Sequence, residues 1–151
     1  MKLDEAIKTT RFKNEVNKAA LNILYTAWWL KTSISQELKH FGLTHEQYNV
    51  LRILKGKHPE YMCVKDIASR MIEKNSNVPR ILDRLLRKKL IKRTTSNKDR
   101  RETVISLTTA GLSLLETSNS RIASSIDKQI RLDKQESKLI NDLLDKMRDH
   151  D

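Results

Sequence analysis

Residues 76–107 read SNVPRILDRLLRKKLIKRTTSNKDRRETVISL. Val78, Ile81, Leu82 and Leu85 recur at steps of three and four, the buried stripe of a helix running from about Ser76 to Lys88. Beyond it, Leu90 to Thr95 and Glu102 to Leu107 alternate in β fashion around Ser96-Asn97-Lys98-Asp99-Arg100-Arg101, which predicts a hairpin with a charged turn. From Arg80 to Arg101 ten residues are basic and only Asp83 and Asp99 are acidic, so this segment carries +8 of the chain's formal +11. The rest of the chain is near balance, with 20 basic and 17 acidic residues. A fold needs no such concentrated field for its own stability, so the segment implies a surface built for a polyanion.

Upstream, Val64, Ile67, Ala68 and Met71 predict a short helix, separated by a polar turn from the one just described. This is the organisation of a helix-turn-helix. Ala68 falls where two helices cross closely, and Val78 and Ile81 follow where the second helix needs branched apolar groups. With those groups turned inward, Asn77, Arg80, Arg84 and Arg87 face outward. A guanidinium can grip guanine O6 and N7, or a phosphate, with two hydrogen bonds, and Asn77 can do the same for adenine. A row of helix arginines is also what an ordinary solvated face looks like; the preceding helix-turn and the following basic hairpin favour the binding surface. Pro79 is tolerated only in a first turn, which points to Asn75 or Ser76 as the cap. Asp83 can pair with Arg80 or Arg87 along the helix.

The flanks are helical. Val16, Ala20, Ile23, Ala27, Leu30, Ile34 and Leu38 mark one stripe of a helix from about Arg11 to His40. Leu21, Leu24 and Trp28 face away from it, as on a helix touching both its own core and another subunit, or one packed within a larger monomer. Thr44 and Gln47 form a capping-box pattern before Tyr48, Leu51, Ile53 and Leu54. Gly42 and Gly56 each close a helix-like pattern where positive φ is wanted. Tyr61-Met62-Cys63 suits a short strand. Thr108 or Thr109 caps a long helix through Leu112, Leu115, Ile122 and Ile126, and Asp133 with Glu136 caps a last one. The fold expected is mainly α with a small β-hairpin, a single domain over 1–151. With three glycines, two prolines and one cysteine in 151 residues, the chain has no disulfide framework and fits a reducing cytoplasm.

The runs "VKDIASRM", "NVPRILDRLLRKKLIKR" and "DRRETVISLTTAG" resemble the winged helix-turn-helix core of the MarR family of bacterial transcriptional regulators. The resemblance implies a DNA-binding core over about 43–107, flanked by dimerisation helices over about 11–41 and 108–148. It implies a homodimeric, sequence-specific regulator of double-stranded DNA, a ligand-responsive repressor on a pseudo-palindromic operator. Ser76, Asn77 and Arg80 match the start of the family's reading helix and, with Arg84, are the candidate base readers; Arg87 shares their face. The wing residue matching Arg101 enters the minor groove and the one matching Asp99 holds it by an ion pair, with Arg100 and Lys98 nearer the phosphates. Lys88, Lys92 and Arg93 are phosphate contacts or solvated charges. Ile72 and Lys89 stand where the family has glycines; a left-handed non-glycine residue costs about 1 kcal/mol, so altered local geometry is expected at both.

Members of that family release DNA when a small ligand enters a cleft beside the dimerisation helices. Tyr25, Trp28, Trp29, His45 and Tyr48 lie in the corresponding region and suit a small aromatic or anionic effector, although core packing accounts for the same residues. Some relatives sense oxidants through a cysteine in the first helix; Cys63 lies elsewhere, and its redox role stays open. His40, His45, His58 and His150 have no ligand spacing, so no metal is expected. No phosphate loop, nucleophile motif or acid–base pair is legible, so neither an enzyme nor a cofactor is expected. Nor is a signal peptide or a membrane-spanning run. A nonspecific, architectural nucleic-acid-binding protein without a defined operator is the competing reading.

Overall fold

The computed structural model describes residues 1–149, so His150 lies outside the described residues. A short helix α1 (Leu3–Ala6) precedes the long α2 (Glu15–Lys39), which starts at Asn14 rather than near Arg11 because the Asn14 side chain accepts the Asn17 N–H. The head of the molecule follows as α3 (His45–Lys55), β1 (Met62–Cys63), α4 (Val64–Arg70), α5 (Val78–Arg87), β2 (Ile91–Thr95) and β3 (Thr103–Leu107). Two further helices, α6 (Thr109–Gln129) and α7 (Lys134–Arg148), complete the chain. The caps at Thr44, Thr108 and Asp133 form as their sequence patterns predict, two of them as full capping boxes. The architecture is the expected mainly helical one with a small sheet. That sheet has three antiparallel strands in the order β1-β3-β2.

The core sits where α3, α4, α5, α6 and the sheet converge. Leu51, Leu54, Ile67, Leu82, Leu85, Ile105 and Leu115 are all fully buried there. The pleat follows the register: Ile91 pairs with Leu107 and Met62 with Ile105, putting four apolar side chains toward the helices. Val78, Ile81, Leu82 and Leu85 are buried as their spacing requires.

Helix α5 starts later than its sequence suggests. The cap is Asn77, not Asn75 or Ser76, and its side chain accepts the Arg80 N–H at 3.2 Å. Pro79 then falls in the first turn, where its missing N–H leaves no bond unmade. Gly56 also departs from expectation, with φ of −62° in the right-handed region. The chain runs on there through further turns from Lys57 to Leu54 and His58 to Lys55, so no left-handed residue is needed.

Besides α1, which closes at Lys8, two longer helices close through a left-handed residue. Gly42 has φ of +64° and Lys89 +58°. In each case the next N–H, of Leu43 or Leu90, returns to the carbonyl five residues back, on Leu38 or Leu85, and the leucine is buried. This is the Schellman closure, anchored by an apolar residue just past the left-handed one. Lys89 thus adopts the geometry a glycine would supply, contrary to the altered backbone expected there; burial of Leu90 outweighs roughly 1–2 kcal/mol of backbone cost. At Ile72 the departure is real: it is not left-handed, its N–H donates to the Asn49 side chain at 3.0 Å, and its side chain is 71% exposed.

The Leu90 carbonyl accepts the Thr108 N–H at 3.1 Å, and the Thr108 hydroxyl donates to the Lys89 carbonyl at 2.8 Å. The first turn of α6 is thereby pressed onto the root of β2. A Cβ on Gly111 would lie 2.0 Å from the Leu90 oxygen, a clash with backbone that no rotamer relieves. Gly111→Ala is therefore expected to destabilise the protein at the top of the roughly 1–3 kcal/mol range for overpacking, or beyond it. Urea unfolding checks this; an unchanged midpoint would show that the junction yields.

Candidate nucleic-acid interface

Helix α5 is divided lengthwise by its own spacing. Its apolar side packs into the core, and Asn77, Arg80, Arg84 and Arg87 are exposed on the other side. Among the described residues, none of these three arginines enters an ion pair. Their guanidiniums retain full hydrogen-bonding capacity toward an external acceptor. The Asn77 side-chain oxygen is engaged as the helix cap, leaving its NH₂ group free to donate. Ser76 is half-buried, and its hydroxyl donates to the Glu73 carbonyl at 2.8 Å. It shapes the entry to α5 with its own donor occupied.

Asp83 pairs with neither Arg80 nor Arg87. Its carboxylate meets Arg93 on β2 at 3.2 Å, so an acid on the reading helix is taken up by the hairpin and Arg93 is not a free phosphate ligand. Lys88 is exposed, but its ammonium donates to the Gly42 carbonyl and to Gln47 Oε1, the latter at 2.9 Å. It braces the end of α5 against the α2–α3 junction. Lys92 lies 5.8 Å from the Tyr61 ring centroid, a cation–π contact on the sheet surface.

The hairpin tip is shaped by its own polar groups. Ser96 Oγ accepts the N–H groups of Lys98 and Asp99 at 3.2 and 3.3 Å, and the Asp99 carbonyl accepts the Glu102 N–H. Asp99 does hold Arg101, but by accepting its backbone N–H at 2.9 Å rather than through a guanidinium ion pair. Lys98, Arg100 and Arg101 are exposed and unpaired among the described residues. The carboxylate fixes the backbone of the turn while the Arg101 side chain stays free.

The aromatic candidates separate. Tyr25 and Trp28 on α2 pack ring to ring at 5.6 Å, with Trp28 60% exposed. Tyr48 belongs to the core, its hydroxyl donating to Asn119 Oδ1 on α6 at 2.5 Å. His45 is half-buried at the start of α3. Two clefts of the head involve none of the four. One, of about 740 Å³, runs between the hairpin and β1 past Tyr61, Cys63, Asp66 and Glu102. The other, of about 370 Å³, lies at the entry to α5 and includes Glu46, Glu73, Arg80 and Arg84. Neither Glu46 nor Glu73 stands out in the sequence; they join the site only because the fold brings α3 and the turn before α5 together.

A helix-turn-helix pair followed by a basic hairpin that completes a three-stranded sheet with β1 defines a winged helix-turn-helix protein. Residues 43–103 match the model of the MarR family. Among curated proteins, the chain is 32% identical over 87 residues to the HTH-type transcriptional regulator PapX of Escherichia coli, covering 58% of this chain and 53% of PapX. The chain thus spans about half the length of the curated relatives it matches. Among solved structures, the S. aureus MepR–DNA complex is 28% identical with a TM-score of 0.76, covering 85% of this chain and 94% of that one. AbsC, a MarR family transcriptional regulator from Streptomyces coelicolor, superposes with a TM-score of 0.80 at 21% identity, over 92% of this chain and 96% of that one. Over residues 43–103 this protein is thus similar to the MarR family.

Cys63 caps α4, its Sγ accepting the Asp66 N–H at 3.4 Å. That bond favours the thiolate, but burial and the nearby Asp66 and Glu102 carboxylates outweigh it and raise the thiol pKa above its ordinary value. A raised pKa means less thiolate at any given pH. Iodoacetamide should therefore alkylate Cys63 more slowly than a free cysteine peptide at mildly alkaline pH, and Asp66→Asn with Glu102→Gln should speed it. Alkylation as fast as the peptide's would contradict this electrostatic picture.

Proposed function

We propose that this chain is a transcriptional regulator that binds duplex DNA as a homodimer. The observation that carries the reading is the set of five exposed, unpaired arginines, three on α5 and two at the hairpin tip, on a helix and hairpin whose apolar sides are buried in the core. Arg80 and Arg84 read base edges in the major groove, with Ser76 and Asn77 shaping the helix entry. Arg87, Lys98 and Arg100 meet phosphates, and Arg101 enters the minor groove, where a narrow A·T tract concentrates negative potential. Lys88 and Asp99 act by fixing the geometry of these contacts. The 28% identity to MepR, solved with DNA, supports the partner.

Two helices carry apolar residues that the single chain leaves uncovered, and this supports the dimer. Within the described residues α7 buries no side chain, and it exposes Leu139, Ile140, Leu143 and Met147 at helical spacing. Helix α2 exposes Leu21, Leu24 and Trp28 along one side. Apolar rows of this extent on two helices suit a subunit interface. We take residues of about 11–41 and 108–148 as the dimerisation elements and 43–107 as the reading head. In the dimer two α5 helices enter successive major grooves about 34 Å apart on a pseudo-palindromic site. Repression follows from promoter occlusion, and a small aromatic or anionic effector held near Tyr25, Trp28 and His45 relieves it by altering the spacing of the heads. Tyr48 supports that region from the core.

Arg101→Ala is expected to weaken binding to every duplex and to lower the slope of log K against log salt by about one. An unchanged slope and affinity would remove the hairpin from the interface. Binding erased by excess random duplex would favour a nonspecific architectural protein over an operator reader. Sedimentation should give a two-chain particle for the parent protein and a folded monomer for the Leu139→Glu, Leu143→Glu variant. A parent protein that sediments as a monomer overturns the dimeric reading.

A further inference from the structure

The cleft at the entry to α5 brings two carboxylates, of Glu46 and Glu73, to the same concavity as the guanidiniums of Arg80 and Arg84. Left alone, such groups pair. Here they do not, because both carboxylates are engaged from outside the head by one ammonium. Lys31 of α2 donates to Glu73 and lies 3.9 Å from Glu46. Hydrogen bonding to Glu73 raises the Lys31 pKa, which keeps the ammonium charged. Glu73 also holds the entry to α5, since its carbonyl accepts both the N–H and the hydroxyl of Ser76, the residue before the Asn77 cap.

We propose that Lys31 is a positioning residue for DNA binding: it occupies Glu46 and Glu73, latent competitors for Arg80 and Arg84, and so keeps the reading arginines free. The proposal rests on the DNA-binding reading given above. Lys31 rides on the long helix, whereas both carboxylates belong to the head. A displacement of α2 against the head therefore withdraws the ammonium and hands the carboxylates to the arginines. Such an exchange couples helix position to DNA affinity without moving α5. Each captured arginine loses a phosphate or base contact, and exposed ion pairs of this kind are strong enough to compete at the level of several-fold in affinity.

The test uses the full chain and a mixed-sequence duplex long enough for two successive major grooves. Lys31→Met should weaken binding about tenfold and lower the salt slope by about one; Lys31→Arg should bind like the parent. Glu46→Gln with Glu73→Gln should restore affinity in the Lys31→Met background, with a gain about fivefold larger than the same pair gives in the parent. Equal gains in both backgrounds would mean that Lys31 merely contributes charge, and would overturn the proposal. In the absence of DNA, the Arg80 and Arg84 Nε–Hε resonances should shift in Lys31→Met and return with the glutamine pair. Resonances unmoved by Lys31→Met overturn the capture itself. A parent protein that binds no duplex while the resonances shift would instead sink the DNA reading and leave the ionic exchange standing.

Discussion

At the end of α5 the chain turns through Lys89 in a left-handed conformation and drops Leu90 into the core. The Leu90 carbonyl then meets the Thr108 N–H, and Gly111 of α6 lies against the same oxygen with no room for a side chain. Three pieces of the molecule are thereby locked at one point: the reading helix, the root of the hairpin and the start of the helix leading away. The left-handed residue is tolerated because the leucine behind it is buried, and the hairpin departs at a fixed angle as a result. The Schellman closure at Gly42 and Leu43 is tied to this one by the Lys88 ammonium, which reaches the Gly42 carbonyl. The orientation of the arginine-bearing surface depends on this pair of helix ends.

On that frame the protein disposes of its acids so as to leave selected cations free. Asp83 is taken by Arg93, Asp99 by a backbone amide, and Glu46 and Glu73 by Lys31. The arginines on α5 and at the hairpin tip are among the cations left unpaired within the described residues. Exposed ion pairs contribute little to stability, so their value here lies in where they place charge. A polyanion then meets guanidiniums that need give up no internal partner to bind it.

Outside the head, α7 and much of α2 have apolar residues in solvent that a lone chain leaves uncovered. The long helices therefore serve two purposes in one chain. Helix α2 contributes Leu38 to the head's core, while its other side carries the exposed Tyr25–Trp28 ring pair. Lys31, one helical turn beyond Trp28, joins the same helix to the head through Glu46 and Glu73.

Local periodicity determined most of the fold. The stripe from Val78 to Leu85, the alternation on either side of Ser96 and the caps at Thr44, Thr108 and Asp133 depend on near neighbours, and near neighbours are what a sequence displays. Charge clustering likewise marked the arginine surface, because ten basic residues lie in one short run. The pairings were a different matter. Lys31 finds Glu73, Lys88 finds Gly42 and Arg93 finds Asp83 only after the chain has packed, since nothing in composition or spacing distinguishes these residues from other surface charges. The left-handed Lys89 and the right-handed Gly56 reverse local expectation for the same reason. Backbone preference amounts to about 1 kcal/mol per residue, and a buried leucine or a continuing turn outweighs it. Sequence thus set the elements and their apolar faces, while tertiary packing chose the partners of the charges, because those are won by distance in space.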